Sequence, residues 1–285
     1  MGFEFAAWLF AIALITSALG GALGMASGIF IVPLLIASGI DMHAAVAASI
    51  VSVIACSCGS AAPFLNGGFT NIRVAIVLEV ATTLGALTGV FLIGVLPVRF
   101  LFLLFTAVLA VSAWQMLARR RERAVEEAEA RPGGWAGALR LHSTYPDRAR
   151  ARDVFYRVQR VPLGLALMYG AGLISALLGI GSGVLKIPAM DTALRLPIKV
   201  SSATSNFMIG VTAAASGVAY FARGDIDPAI AGPVALGSVI GALLGAKFLM
   251  AISGDRLRLL FVAVLALLAV QMLLAAFGIE IGRAA

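Results

Sequence analysis

Apolar residues run along this chain in long unbroken stretches, with neither the alternation of a half-buried strand nor the one-sided spacing of a surface helix. The blocks fall at about 5–39, 43–63, 72–96, 98–117, 162–194, 199–222, 228–250 and 255–277. A helix of about 20 apolar residues crosses ~30 Å of hydrocarbon, so the pattern predicts four membrane-spanning blocks on each side of one polar segment. That segment, residues 118–161, holds 11 of the 21 basic residues, all of them arginine. Pro132-Gly133-Gly134 and its many charges predict a solvated loop, with room for a short helix over Arg119–Arg131. The expected division is a first transmembrane repeat over 1–117, the arginine-rich loop over 118–161, and a second transmembrane repeat over 162–285.

The two halves repeat each other. At an offset of 155, Gly24, Ser27, Gly28 and Pro33 fall on Gly179, Ser182, Gly183 and Pro188. After a one-residue gap, Gly85 and Gly89 fall on Gly241 and Gly245, Phe105 on Phe261, and Gln115-Met116-Leu117 on Gln271-Met272-Leu273. The first block of each repeat would reach about 50 Å as one helix, too long for a single crossing. Glycines at 20–28 and at 179–183 mark where each block breaks into a hairpin of two helices.

A hairpin plus three spans crosses the bilayer an odd number of times, which predicts inverted repeats. Charge agrees: with the N-terminus outside, Arg73, the loop arginines, Arg195, Lys199, Arg256 and Arg258 all lie inside, and only Arg99, Arg223 and Arg283 lie outside. The expected fold is therefore an all-α integral membrane protein of two inverted repeats, each a broken-helix hairpin plus three transmembrane helices. The loop is expected on the cytoplasmic side and both termini on the periplasmic side. Ala6–Ala18 has the apolarity of a signal peptide, but Glu4 stands where a basic region belongs and no Lys or Arg precedes Arg73, so an uncleaved first helix is expected.

Composition narrows the function. Residues are 61% hydrophobic and 12% charged, and mean hydropathy is +1.03, against roughly 25% charged in soluble domains. The basic pI of about 10.1 comes largely from the loop and reads as a topology signal, so no nucleic-acid partner is expected. Cys56 and Cys58 fit neither a disulfide framework nor a zinc site. His43 and His142 are isolated, and no HExxH, P-loop or GxSxG motif occurs. Neither an enzyme, a metal site nor a cofactor is expected.

A helix broken inside a membrane frees peptide groups that hydrocarbon cannot satisfy, so the break belongs in protein or beside a wet cavity. The half-helix that follows presents N–H donors and the positive end of its dipole, which suits an anion. Gly24, Ser27 and Gly28 in the first repeat, and Gly181, Ser182 and Gly183 in the second, are the candidate donors. Gly85, Gly89, Gly241 and Gly245 read instead as close helix packing. Lys186 lies in an apolar helix where a lone ammonium is costly; it is either an anion ligand or a snorkelling side chain. Glu79 is mid-span, aligned with Ala235 in the other repeat, and is a candidate proton carrier, a partner for Lys186, or a hydrogen-bonded neutral acid. Asp41 and Asp191 read as capping or interfacial. In Ser201-Ser202-Ala203-Thr204-Ser205-Asn206, the first two serines fit helix capping or interhelical bonds, and Thr204, Ser205 and the deeper Asn206 fit neutral ligation of an oxyanion, matched more weakly by Ser49 and Ser52.

The signatures GMASGIFIVPLL and GIGSGVLKIPAM, then IKVSSATSNFMIGVTAAASG followed by GD, resemble the TauE/SafE sulfite exporter family, the second half more closely. The family's fuller GxGGG is replaced here by Met25-Ala26-Ser27 and by Ser182. The resemblance covers nearly all the chain outside the loop. It implies a secondary transporter of small sulfur-containing anions (sulfite, thiosulfate, or organosulfonates such as sulfoacetate) across the bacterial inner membrane. Alternating access is expected, with hairpins meeting near the bilayer midplane and export favoured; a homodimer is compatible. A passive anion channel, or a non-transporting sensor or scaffold acting through the basic loop, are the competing classes.

Overall fold

The computed structural model describes residues 3–25, 27–92, 98–118, 135–147, 152–178 and 183–276. The long apolar blocks become helices: α1 (Phe3–Leu23), α2 (Gly28–Ala37), α3 (Met42–Asn66), α4 (Ile72–Phe91) and α5 (Val98–Ala118) before the polar segment. After it come α7 (Val161–Leu178), α8 (Gly183–Thr192), α9 (Ile198–Arg223), α10 (Pro228–Ala251) and α11 (Gly254–Ala276). Four of the described segments, Glu4–Leu23, Ala44–Asn66, Ile72–Gly89 and Pro228–Ala251, are long and apolar enough to cross a membrane. Large apolar side chains face outward: Trp114, Val218 and Phe221 are 70%, 70% and 77% exposed. Such surfaces would be a liability in water and are ordinary against lipid. The chain is an all-α membrane protein.

The first of the two long first blocks is interrupted. α1 stops at Leu23 and α2 starts at Gly28, and α7 stops at Leu178 with α8 starting at Gly183. The expected helix over Arg119–Arg131, and residues 179–182, where the second break is expected, lie outside the described residues.

The polar segment holds more structure than its charges suggested. A short helix α6 (Trp135–Ala138) is followed by strands β1 (Ser143–Asp147) and β2 (Arg152–Tyr156), which pair in a two-stranded sheet. Asp153, Phe155 and Arg157 are exposed between the inward Val154, Tyr156 and Val158, the alternation of a half-buried strand. That alternation is hidden in the sequence because the inward set is only three residues long and arginines surround it. Asn71 fixes the segment to α4: its Oδ1 accepts from the Val74 amide at 3.1 Å, capping the helix. Its Nδ2 donates to the Leu141 carbonyl at 2.9 Å and to the Tyr156 hydroxyl at 3.0 Å. Burial pushes the Tyr156 phenol above its ordinary pKa, and hydrogen bonds from Asn71 and Ser143 partly oppose the shift.

The chain packs as two compact units that each draw on both sequence halves. The first is Met1–Thr70, Tyr145–Arg152 and Ser202–Ala251; the second is Asn71–Thr144, Asp153–Ser201 and Ile252–Ala285. These units and the sequence repeats are different cuts of the same chain. Within the first unit α1 crosses α10, and within the second α7 crosses α4. The crossings are built alike. A side chain on Gly241 would run into the Leu14 carbonyl, and one on Gly85 into the Tyr169 carbonyl. Gly85 matches Gly241 at offset 156, and Leu14 matches Tyr169 at offset 155. Gly237 and Gly245 extend the α10 stripe against Phe10 and Ala18, while Gly172 lies against Thr82 in the other unit. Small residues let backbones touch, the main source of helix association in lipid.

Candidate functional site

In the first unit, the end of α1 unwinds for a local reason. Gly24 has φ of +75°, a conformation costly for any residue with a Cβ. A Cβ there would also strike the backbone of Ser202 on α9, so glycine is required twice over. The last turn of a helix leaves carbonyls unpaired. Here the Gly20 carbonyl accepts from the amides of Gly24 and Met25 at 2.9 and 3.1 Å, and the Gly21 carbonyl accepts from Asn206 Nδ2 at 2.9 Å. Asn206 therefore stabilises the broken end, with its amide nitrogen committed to protein.

The start of α2 sits among hydroxyls. Ser27 precedes the helix but makes no side-chain capping bond; its Oγ lies 2.9 Å from Ser52 Oγ. Ser52 is the hub, with Ser238 Oγ at 2.7 Å and Ser17 Oγ at 3.4 Å. All four serines are buried. Ser49 lies beside Gly28, but its hydroxyl donates back to the Val46 carbonyl of its own helix at 2.7 Å. Ser202, Thr204, Ser205 and Asn206 are all buried on α9. The hydroxyls of Ser202 and Ser205 have no hydrogen-bond partner among the described residues. Neither Ser201 nor Ser202 caps a helix, as the capping reading had it, because α9 has already begun at Ile198. Cys56 is buried, its thiol directed to the Ser17 carbonyl at 3.6 Å, while Cys58 is exposed.

The second unit answers with charge. α8 is buried from Gly183 through Asp191, and Lys186, with 0% of its side chain exposed, bonds Glu79 Oε2 of α4 at 3.0 Å. A snorkelling lysine would be exposed at its tip, so that reading is overturned and the pairing one holds. Glu79 is 15% exposed and its Oε1 has no partner among the described residues. Asp191, expected to cap or to lie at the interface, is instead buried and bonded to Arg258 Nη2 of α11 at 2.7 Å. Arg258 Nη1 also reaches the Met116 carbonyl on α5 at 3.2 Å. Charge counting had used Arg258 only for topology; a pair separated by 67 residues leaves no local signal in the sequence. Gly183 begins α8 and is buried, while Gly181 and Ser182 lie outside the described residues.

The predicted ligands thus fall into two groups. Gly24, Ser27, Gly28, Ser49, Thr204, Ser205 and Asn206 belong to the first unit, and Gly183, Lys186 and Glu79 to the second. Sequence reasoning passed over Ser17 and Ser238, whose part in the hydroxyl cluster depends on helices far apart in the chain.

Residues 9–272 match the family described as Sulfite exporter TauE/SafE. The chain is also similar to the probable membrane transporter protein YunE of Bacillus subtilis (strain 168), 22% identical over 246 residues, covering 84% of this chain and 86% of that protein. No solved structure matches it. The apolar helices, the interrupted α1–α2 block and a family match over nearly the whole length lead to one conclusion: the chain belongs to the TauE/SafE sulfite exporter family and is a multi-pass membrane transporter, not an enzyme.

Proposed function

We propose that this transporter moves small sulfur-containing anions, among them sulfite, thiosulfate and organosulfonates such as sulfoacetate, across the bacterial inner membrane by alternating access. The observation that carries the reading is the interrupted α1–α2 block set among buried hydroxyls, two of which, on Ser202 and Ser205, lack a hydrogen-bond partner among the described residues. A buried polar group left unpaired costs ~1–3 kcal/mol, which an oxyanion accepting from both hydroxyls would offset. The N-terminus of α2 adds peptide donors and a favourable dipole. Neutral donors replace part of an oxyanion's hydration and still let it go. Gly24, Ser27, Gly28, Ser49, Thr204 and Ser205 are the proposed ligands here, with Asn206 positioning the end of α1.

From the second repeat we assign Gly181, Ser182, Gly183 and Lys186 to the same task, and Glu79 to proton coupling. The repeats are proposed to be inverted, the loop cytoplasmic and both termini periplasmic. The matching Gly241–Leu14 and Gly85–Tyr169 crossings support a duplicated scaffold. An inside-negative potential favours efflux of any species that crosses with net negative charge, by about 2.3 kcal/mol per charge per 100 mV.

Uptake of the three labelled anions into proteoliposomes tests the ligands. Ser205→Ala and Lys186→Ala are each expected to lower uptake at limiting anion about tenfold or more, the worth of one lost bond to a charged group. Asn206→Ala is expected to reduce it by releasing the Gly21 carbonyl. Wild-type uptake in all three variants would refute the assignment.

A further inference from the structure

The repeat supplies an internal control for the buried ion pair. Lys186 matches Ile31 at offset 155, and Glu79 matches Ala235 at offset 156. Ile31 is fully buried in an apolar cluster with Leu9, Ile12, Leu35 and Val234. The same scaffold therefore holds together with hydrophobic residues at both positions, and hydrophobic replacements of a buried ion pair are commonly as stable or more so. Packing gives no reason for the charges. Asp191–Arg258 differs: Asp191 and Arg258 are both buried, and Arg258 also binds a backbone carbonyl, the arrangement of a structural staple. Glu79 is instead 15% exposed, with one oxygen on Lys186.

We infer that Glu79 and the substrate anion compete for Lys186, so that each anion bound requires a proton on Glu79 and the coupling ion is H⁺. This rests on the anion-transport reading and deepens it. The charge balance is simple. Without substrate, Lys186 and Glu79 neutralise one another. If a monovalent anion takes the ammonium while Glu79 stays ionised, the site carries an uncompensated negative charge in a low-dielectric setting. A proton on Glu79 restores neutrality, and the neutral acid can still hydrogen-bond. Anion and proton then leave together, and the Lys186–Glu79 pair re-forms for the return. A monovalent sulfonate would move electroneutrally, whereas divalent thiosulfate would carry one net negative charge and still respond to the potential.

The charged and titratable residues of α4, α8 and the helices packed on them are few. On α4, Arg73 donates to the Arg140 carbonyl at 2.9 Å. α7, packed on α4, has Tyr169 as its one titratable residue, and the Tyr169 hydroxyl donates to Thr88 at 2.8 Å. On α8, Asp191 is held by Arg258, and the one charged residue of α5 is Arg99, its second residue.

The test uses full-length protein in proteoliposomes with an internal pH indicator and labelled thiosulfate or sulfoacetate. Wild type should take up a proton with each anion, and apparent affinity should weaken with rising pH by up to about tenfold per unit. Glu79→Gln should bind anion more tightly at high pH, show a flat pH profile and move no proton. Because a lone Lys186 could impair folding, the companion is Lys186→Ile/Glu79→Ala, which copies Ile31 and Ala235. It should melt at or above the wild-type temperature and lose both anion-driven proton uptake and at least tenfold in affinity. Wild-type anion flux with no proton movement, or a wild-type pH profile in either variant, overturns the inference and leaves the transport reading standing. No flux of either anion in wild type overturns both.

Discussion

The two packing units share a crossing motif and differ in their polar chemistry. In the first, α1 and α10 touch through Gly237, Gly241 and Gly245, and the buried polar groups among the described residues are neutral, Ser17, Ser27, Ser52, Ser238 and the amide of Asn206 among them. In the second, α4 and α7 touch through Gly85 and Gly172, and the buried polar groups include two ion pairs, Lys186–Glu79 and Asp191–Arg258. A duplicated scaffold can thus keep its backbone contacts and change its buried chemistry. On the proposed reading, the hydroxyls release an oxyanion readily and the charge pair adds dependence on a proton.

The sharpest way to break the comparison is to unbalance the charged unit. Glu79→Ala leaves Lys186 buried and alone and should destabilise the protein by about 3–5 kcal/mol, seen as a large fall in melting temperature in detergent. If the single variant melts like wild type, the pair is not buried as described. Next come the crossings. Gly241→Val and Gly85→Val each press a side chain onto a facing backbone and should cost about 1–3 kcal/mol, occasionally more; equal losses at both would support the likeness of the two crossings, and no loss at either would refute it. Ser52→Ala removes the hub of the hydroxyl cluster and should cost ~0.5–1.5 kcal/mol per bond lost, with no change in pH response, unlike any change at Glu79.

The smallest expected effects lie in the polar segment. Asn71→Ala removes a cap worth ~1 kcal/mol and frees the β hairpin, which hydrogen exchange would report. The folded Tyr156 pKa lies above its unfolded value near 10.0. The folded state thus resists losing that proton, so its contribution is fully present below pH 10 and is lost as pH climbs through the folded pKa. Protection of the hairpin should be flat from pH 6 to 9 and weaken above 10; weakening that begins near neutrality would contradict the burial of Tyr156.

Much of the architecture was legible because membranes impose simple rules. Block length revealed helices, glycine runs located the α1–α2 break, and the repeated Gly85 and Gly241 marked where backbones touch. Lys186 and Glu79 stood out because isolated charges in apolar helices need an explanation, and their pairing was among those considered. What stayed hidden depends on long-range proximity: Asp191 with Arg258, or Ser17 and Ser238 converging on Ser52, have no local signature. The role of Asn206 was half visible. Its depth on α9 marked it as functional, but only the unpaired Gly21 carbonyl explains where its amide nitrogen goes.

Counterflow tests the central claim most directly. Proteoliposomes preloaded with unlabelled thiosulfate are diluted into labelled thiosulfate, and entry of label is followed against external concentration. A site that binds its anion and opens alternately to each side predicts saturable entry, accelerated by the internal anion and weakened by Ser205→Ala. Entry that rises linearly with concentration and ignores the internal anion would contradict it and favour an open anion pore.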